Sequence, residues 1–205
     1  MKKIPRTLSG FTLIEMLVSV AISIFVVGAI TLFARNLFYQ NSVQSGSFST
    51  AQSAEEIVRT MLAQLRSTSP GSDGSYPLVT TATSTLTFFS DIYGNGVKER
   101  VRYFLATTTL QEGIIVPTGL PLSYNTVNEQ ISTLAFNVVN ASSLPLFNYY
   151  DDSYAGTSSP LTQPVTVSLV RLVQINLTLD QDPNKAPGPR TYTSDATLRN
   201  LKDNL

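Results

Sequence analysis

Residues 11–33 read FTLIEMLVSVAISIFVVGAITLF, an apolar run whose only formal charge is Glu15. At about 1.5 Å per helical residue, such a run crosses a hydrocarbon core of roughly 30 Å. It is long enough to be a membrane span, and the rest of the chain is ordered around it. Ahead of it stands MKKIPRTLSG, a short leader with Lys2, Lys3 and Arg6 that ends in Gly10. An ordinary secretory signal places its small-residue cleavage site after a shorter apolar core; here Ser9-Gly10 precedes the core, so cutting there leaves the anchor attached. Three cations precede the span and only Arg35 lies just beyond it. The leader is therefore expected in the cytoplasm and the bulk of the chain outside.

Glu15 is the sharper observation. A carboxylate about one turn into a membrane helix costs a few kcal/mol unless it is paired, neutralised or near the interface. A new amine at Phe11, exposed by cleavage after Gly10, would be one such partner; snorkelling to the headgroups is the other reading.

Gly10-Phe11-Thr12-Leu13-Ile14-Glu15, behind a short basic leader and ahead of an apolar helix, resembles the prepilin-type N-terminus of the bacterial type IV pilin and pseudopilin superfamily. The match covers the first fifth of the chain and has no departure at these six positions. The resemblance implies cleavage between Gly10 and Phe11 by a prepilin peptidase, N-methylation of Phe11 by the same enzyme, and use of Glu15 in subunit assembly. It also implies as partners other pilin or pseudopilin subunits, an inner-membrane assembly platform and the lipid bilayer. Many type IV pilins carry a helix-breaking proline partway along this segment. This chain has Leu32 near there, leaving Gly28 as the one weak point for local melting.

From Phe11 to Ser69 there is no proline, so the helix is expected to continue outward until Pro70-Gly71. Ala54, Ile57, Val58, Met61, Leu62 and Leu65 recur at helical spacing opposite Glu55, Glu56, Arg59 and Arg66. That stripe predicts coverage by a packed domain. Between them, Gln40 to Gln52 is rich in Ser, Asn and Gln and reads as a less stable helical linker.

After Pro70, short runs of Thr, Val, Ile, Phe and Tyr alternate with Gly, Pro, Asn and Asp, which predicts strands and turns. The expected strands are Thr85–Asp91, Lys98–Ala106, Thr109–Val116, Ser132–Val139, Leu172–Asp180 and Arg190–Leu201. Asn95-Gly96 is expected to make a tight turn between the first two. Val173, Ile175, Leu177 and Leu179 alternate with Gln174, Asn176 and Thr178, predicting one buried face and one wet face. The fold class is therefore α+β: a long N-terminal helix, transmembrane in one half and amphipathic in the other, packed on a mainly antiparallel β head. The expected divisions are a leader at 1–10, a transmembrane helix at 11–34, an amphipathic helix at 35–69 and an extracytoplasmic head at 70–205. Phe88-Phe89-Ser90-Asp91, Asp180-Gln181-Asp182-Pro183 and Leu198-Arg199-Asn200-Leu201 also resemble pieces of J-type minor pseudopilins and related minor pilins, which implies a minor, priming or tip subunit.

Chemistry is sparse. The 205 residues include no cysteine and no histidine, which excludes disulfides, thiol nucleophiles, Ser-His-Asp and His-zinc arrangements. Neither a Gly-x-Ser-x-Gly elbow, a phosphate-binding glycine loop nor a Ser-x-x-Lys site occurs, so no enzyme and no cofactor are expected. Two weak cation candidates stand out. Asp91 and Asn95 match part of a calcium loop, but Tyr93 and Arg102 occupy ligand positions; Asp151-Asp152 sits beside Tyr149, Tyr150 and Tyr154. A hairpin turn and a solvated loop are the plainer readings, and no metal is expected. The tyrosines of Phe147–Tyr154 read either as an exposed contact patch or as a long loop packed on the sheet.

With 14 basic and 14 acidic side chains the chain is neutral, and loss of the leader leaves 11 against 14, a charge of −3. No nucleic-acid-coating surface is indicated. A tethered binding or DNA-uptake protein using the same anchor is the alternative, with Lys98, Arg100 and Arg102 as its only basic cluster in the head. An uncleaved, signal-anchored exoprotein is the third reading.

Overall fold

The computed structural model describes residues 10–182 and 188–198. They fall into two compact units, Met1–Ser45 and Gly46–Leu205. A single helix, α1, runs from Leu13 to Arg66. With no proline to remove a backbone donor, it passes Gly28 and Leu32 without interruption.

In the first unit, α1 carries one apolar segment of membrane-spanning length, Leu13–Asn41, with 29 residues and a mean hydropathy of 2.6. Its large side chains, among them Ile22, Phe25, Ile30 and Phe33, are exposed. A helix apolar all round and exposed among the described residues is matched to lipid or to other apolar helices. Ser19, Ser23 and Thr31 donate their hydroxyls back to the carbonyls of Glu15, Ser19 and Val27 at 2.7–2.8 Å. These hydroxyls are thus satisfied inside the helix, as an apolar medium requires.

In the second unit the stripe of α1 is covered. Ala54, Val58, Met61, Leu62 and Leu65 are buried in one core cluster with partners from two antiparallel sheets, and Ile57 packs against its margin. The first sheet is a meander in sequence order: β1 (Leu78–Thr81), β2 (Thr85–Ser90), β3 (Glu99–Ala106), β4 (Thr109–Ile115) and β5 (Gln130–Ala135). It contributes Leu86, Phe88, Val101, Tyr103 and Leu110 to the core. The second sheet has the order β6-β7-β8: β6 (Phe147–Tyr150), β7 (Leu172–Leu179) and β8 (Arg190–Thr197). It adds Phe147, Tyr149, Val173, Ile175, Leu177 and Ala196. Backbone bonds from Phe147 to Thr83 and from Val139 to Thr178 stitch the sheets together. The α+β class is the one observed, with α1 followed by a mainly antiparallel β domain.

Four expectations are corrected. First, Asn95 does not adopt a left-handed conformation; the positive φ angles in that loop belong to Gly94 and Gly96. The loop instead spans Asp91–Lys98, and the two-residue turn lies at Thr107-Thr108, where Ala106 pairs with Thr109 and Thr107 has φ 57°. Second, the expected strand Ser132–Val139 is displaced to Gln130–Ala135, because Asn137 at φ 56° ends the extended run. Third, the alternate face of β7 is wet only at Gln174: Asn176 and Thr178 are buried. Asn176 donates to the Pro145 carbonyl and accepts from Thr193 Oγ1, while Thr178 shares a hydroxyl bond with Thr191. Fourth, Phe147–Tyr150 is neither a loop nor an exposed patch but strand β6, with Phe147, Tyr149 and Tyr150 buried. Strand β1 was not anticipated either. The expected C-terminal end of the last strand, residues 199–201, lies outside the described residues.

Candidate functional site

The start of α1 is built by a reciprocal pair. Thr12 occupies the N-cap, and its carbonyl accepts the first helical bond, from Met16 N at 3.2 Å. The Glu15 carboxylate turns back and accepts from Thr12 N at 2.8 Å and from Thr12 Oγ1 at 2.9 Å. Glu15 N in turn donates to Thr12 Oγ1 at 3.4 Å. This Thr-x-x-Glu arrangement is a capping box, which satisfies otherwise orphaned donors at a helix start. It also holds the carboxylate against the positive end of the helix dipole. Gly10 and Phe11 precede it outside any helix; Phe11 is exposed, and a side chain added at Gly10 would meet nothing within 4 Å. An uncovered peptide bond outside the helix is what a protease needs to reach. Thr12 is the member of this group that the sequence reading missed. Its signal was present, because Thr-x-x-Glu directly before an apolar run is the sequence form of a capping box.

The weaker candidates are spread over the head, each serving its own loop. Asp91 accepts from the amides of Asn95 and Gly96 at 3.0 and 2.9 Å and from Lys98 Nζ at 3.3 Å. Desolvation, the largest influence on this carboxyl, raises its pKa, but the Gly96 and Asn95 amides and Lys98 together hold it below the usual range. Asn95 Oδ1 is itself engaged, accepting from Val97 N. Asp151 accepts from the Ser153 hydroxyl and amide at 2.6 and 3.0 Å, and those two bonds lower its pKa. Asp152 is exposed beside it. Among the described residues, no three His, Cys, Asp or Glu side chains gather as a metal-binding group.

Two of the three basic residues of the head cluster are tied down. Lys98 pairs with Asp91, and Arg102 makes a two-point bond to Glu129 at 2.7 and 2.6 Å while lying 3.9 Å over the Phe104 ring. Gly113, opposite Arg102 on β4, leaves the gap through which Glu129 reaches: a Cβ there would lie 2.7 Å from the Glu129 carboxyl carbon. Among the described residues, Arg100 Nε has no hydrogen-bond partner.

The remaining polar cluster fastens α1 to the first sheet. The Tyr103 hydroxyl donates to Gln64 Oε1 at 2.6 Å and lies 3.0 Å from Glu112 Oε1, and Gln64 Nε2 donates to the same Glu112 oxygen at 3.1 Å. Burial, reinforced by the neighbouring Glu112, pushes the Tyr103 phenol far above its usual pKa, so it stays a neutral donor.

The fold and the N-terminal geometry thus define an α+β protein whose single apolar N-terminal helix fits a single-pass membrane anchor. Residues 6–31 match the family model for the prokaryotic N-terminal methylation motif. The chain therefore carries a prepilin-type N-terminal segment of the kind found in type IV pilins and pseudopilins. That motif points to a family of structural subunits, processed by prepilin peptidase and assembled with other pilin subunits, rather than to enzymes. No curated protein matches the chain.

Proposed function

We propose that this protein is a minor pilin or pseudopilin, a structural subunit of a type IV pilus-like or type II secretion filament. The observation that carries the reading is the methylation motif at residues 6–31 standing on an uncovered peptide bond and an apolar helix. In this reading residues 1–10 are a cytoplasmic leader, 11–34 the inner-membrane span, 35–69 the amphipathic continuation and 70–205 the extracytoplasmic head. Prepilin peptidase cuts between Gly10 and Phe11 and methylates the new Phe11 amine. Assembly then draws the subunit from the bilayer into a helical bundle of neighbouring subunits on an inner-membrane platform. Glu15 stays in the bundle by pairing with the amine of a neighbouring Phe11, a charge-assisted contact strengthened by low dielectric. The similarity of the 88–91, 180–183 and 198–201 segments to J-type subunits favours a priming or tip position.

The test is the intact mass of membrane-extracted protein expressed with and without a prepilin peptidase. Loss of residues 1–10 plus one methyl group is expected; an uncut chain would replace this reading with a plain tethered exoprotein. Glu15→Ala should leave folding and processing unchanged and reduce incorporation into filaments. Normal incorporation of that variant would remove the pairing role.

A further inference from the structure

We infer that the open edge of β8, with the flank of α1 that faces it, is a docking groove for an extended acidic segment of a partner protein, received as a fourth strand of the second sheet. Among the described residues, the sheet order β6-β7-β8 leaves the outer backbone groups of β8 without a strand partner. Exposed edges are normally blunted, because unpaired N–H and C=O groups recruit other strands. At the opposite edge this is done: Phe147 N of β6 donates to the Thr83 carbonyl, and the Tyr149 carbonyl accepts from Leu161 N. Among the described residues, no backbone bond from outside the sheet reaches Arg190–Thr197.

A cavity of about 480 Å³ lies along this edge, lined by Tyr192, Thr193 and Ser194 on one side and by α1 residues including Arg59, Leu62 and Arg66 on the other. Successive strand side chains point to opposite faces. Three consecutive residues can therefore line one cavity only if it runs along the strand's edge, where backbone is accessible. An added strand would bond to β8 there and turn every second side chain toward α1, the geometry of β-augmentation.

Charge selects the occupant. Arg59 and Arg66 are exposed on the groove wall, and neither forms an ion pair among the described residues. Glu55 is the single acidic residue of the lining. The two arginines are about 10 Å apart along α1, between the roughly 7 Å and 14 Å that separate same-face residues two and four apart in a strand, within reach of long side chains. Buried Leu62 lies between them at the foot of the wall. The fitting partner therefore carries acidic residues at every second position, so that they share its inner face, with small apolar residues between them. The first sheet also has an open edge, β5, but Gln130–Ala135 carries no charge to select a partner. This inference stands apart from the prepilin reading, since the groove lies wholly in the Gly46–Leu205 unit.

The experiment titrates the full chain, in zwitterionic detergent at 150 mM salt (about physiological ionic strength), with the capped peptide Thr-Glu-Val-Glu-Val-Glu-Thr and its lysine counterpart Thr-Lys-Val-Lys-Val-Lys-Thr. Fluorescence anisotropy gives affinity, and amide hydrogen exchange locates the site. The acidic peptide should bind and slow exchange in β8, with affinity falling at least about tenfold in the exposed double variant Arg59→Glu/Arg66→Glu, each tenfold step being about 1.4 kcal/mol. The lysine peptide should bind that variant better than the wild type. Absence of binding at millimolar peptide, equal binding of both peptides, or protection away from β8 would overturn the proposal. So would β8 protection in the peptide-free chain that rises with protein concentration or disappears when residues 199–205 are deleted, because a second copy or the chain's own tail would then be the occupant.

Discussion

Tyr103→Phe isolates the polar contact that fixes α1 to the first sheet. The substitution keeps the buried ring, which packs 6.0 Å from Phe88, and removes one hydroxyl. Gln64 Oε1 then loses its hydrogen-bond donor, while Glu112 keeps the Gln64 amide and is partly exposed to water. A buried acceptor left without a partner costs about 1–3 kcal/mol, and Gln64 is only partly buried. The expected loss is about 1 kcal/mol, or a fall in Tm of roughly 2–4 °C for a domain of this size. With no tryptophan in the chain, the assay is thermal unfolding of the full protein in mild detergent, followed by far-ultraviolet circular dichroism and the near-ultraviolet tyrosine signal. The second leg is Gln64→Leu, which removes both the orphaned acceptor and the amide. Added to Tyr103→Phe, it should cost clearly less than the sum of the two single changes, since an apolar pair leaves nothing unsatisfied between them. The pH dependence has a definite sign. Burial raises the folded-state pKa of Tyr103, so the native state keeps a proton that the unfolded state gives up near pH 10. Its contribution is fully present below about pH 10 and is lost as pH rises further. Tyr103→Phe should flatten that alkaline limb. A change in stability below about 0.5 kcal/mol, the scatter of ordinary surface substitutions, or strict additivity with Gln64→Leu would refute the proposed network.

Leu65 is completely buried in the core cluster to which both sheets contribute, so Leu65→Ala should cost about 2–5 kcal/mol in the same melt. Leu32→Ala, at an exposed position of α1, should leave head unfolding unchanged; equal losses at the two sites would contradict the division of α1 into covered and uncovered parts. Gly113→Ala should push Glu129 aside and break its bond to Arg102. Because the pair is partly exposed, the loss should stay near about 1 kcal/mol, and a double-mutant cycle with Glu129→Gln should show coupling. Asp91 has a lowered pKa in the fold. Its contribution is present above the unfolded value near pH 4 and lost as pH falls through the folded value, so Asp91→Asn should make unfolding less acid-sensitive, as an acid titration of Tm would read.

The chemical identity of the N-terminal residues and the helical stripe were legible in the chain because both depend on local order. A membrane span needs only length and hydropathy, and Phe11-Thr12-Leu13-Ile14-Glu15 is recognisable as text. Ala54, Val58, Met61, Leu62 and Leu65 announced their burial by helical spacing. Thr12 is equally legible as the first residue of a capping box, because Thr-x-x-Glu stands directly before the apolar run, and the same Glu15 serves both as a charge in an apolar segment and as a helix cap.

What only the tertiary structure decided are the pairings. Phe147–Tyr150 is a strand because β7 lies beside it, and nothing in four aromatic-rich residues next to Asp151-Asp152 specifies that neighbour. The polar side chains of β7 are buried because Pro145, Thr191 and Thr193 arrive from elsewhere to bond them. Asn95-Gly96 makes no two-residue turn because β2 and β3 stop pairing at Ser90 and Glu99, and Asp91 accepts from the Asn95 and Gly96 amides to hold a longer loop. Composition and periodicity therefore determined which faces are apolar and how the chain begins. Which strands meet and, among the described residues, which edge stays open and which cations remain unpaired depended on contacts distant in sequence, because no local residue pattern encodes a partner that lies dozens of positions away.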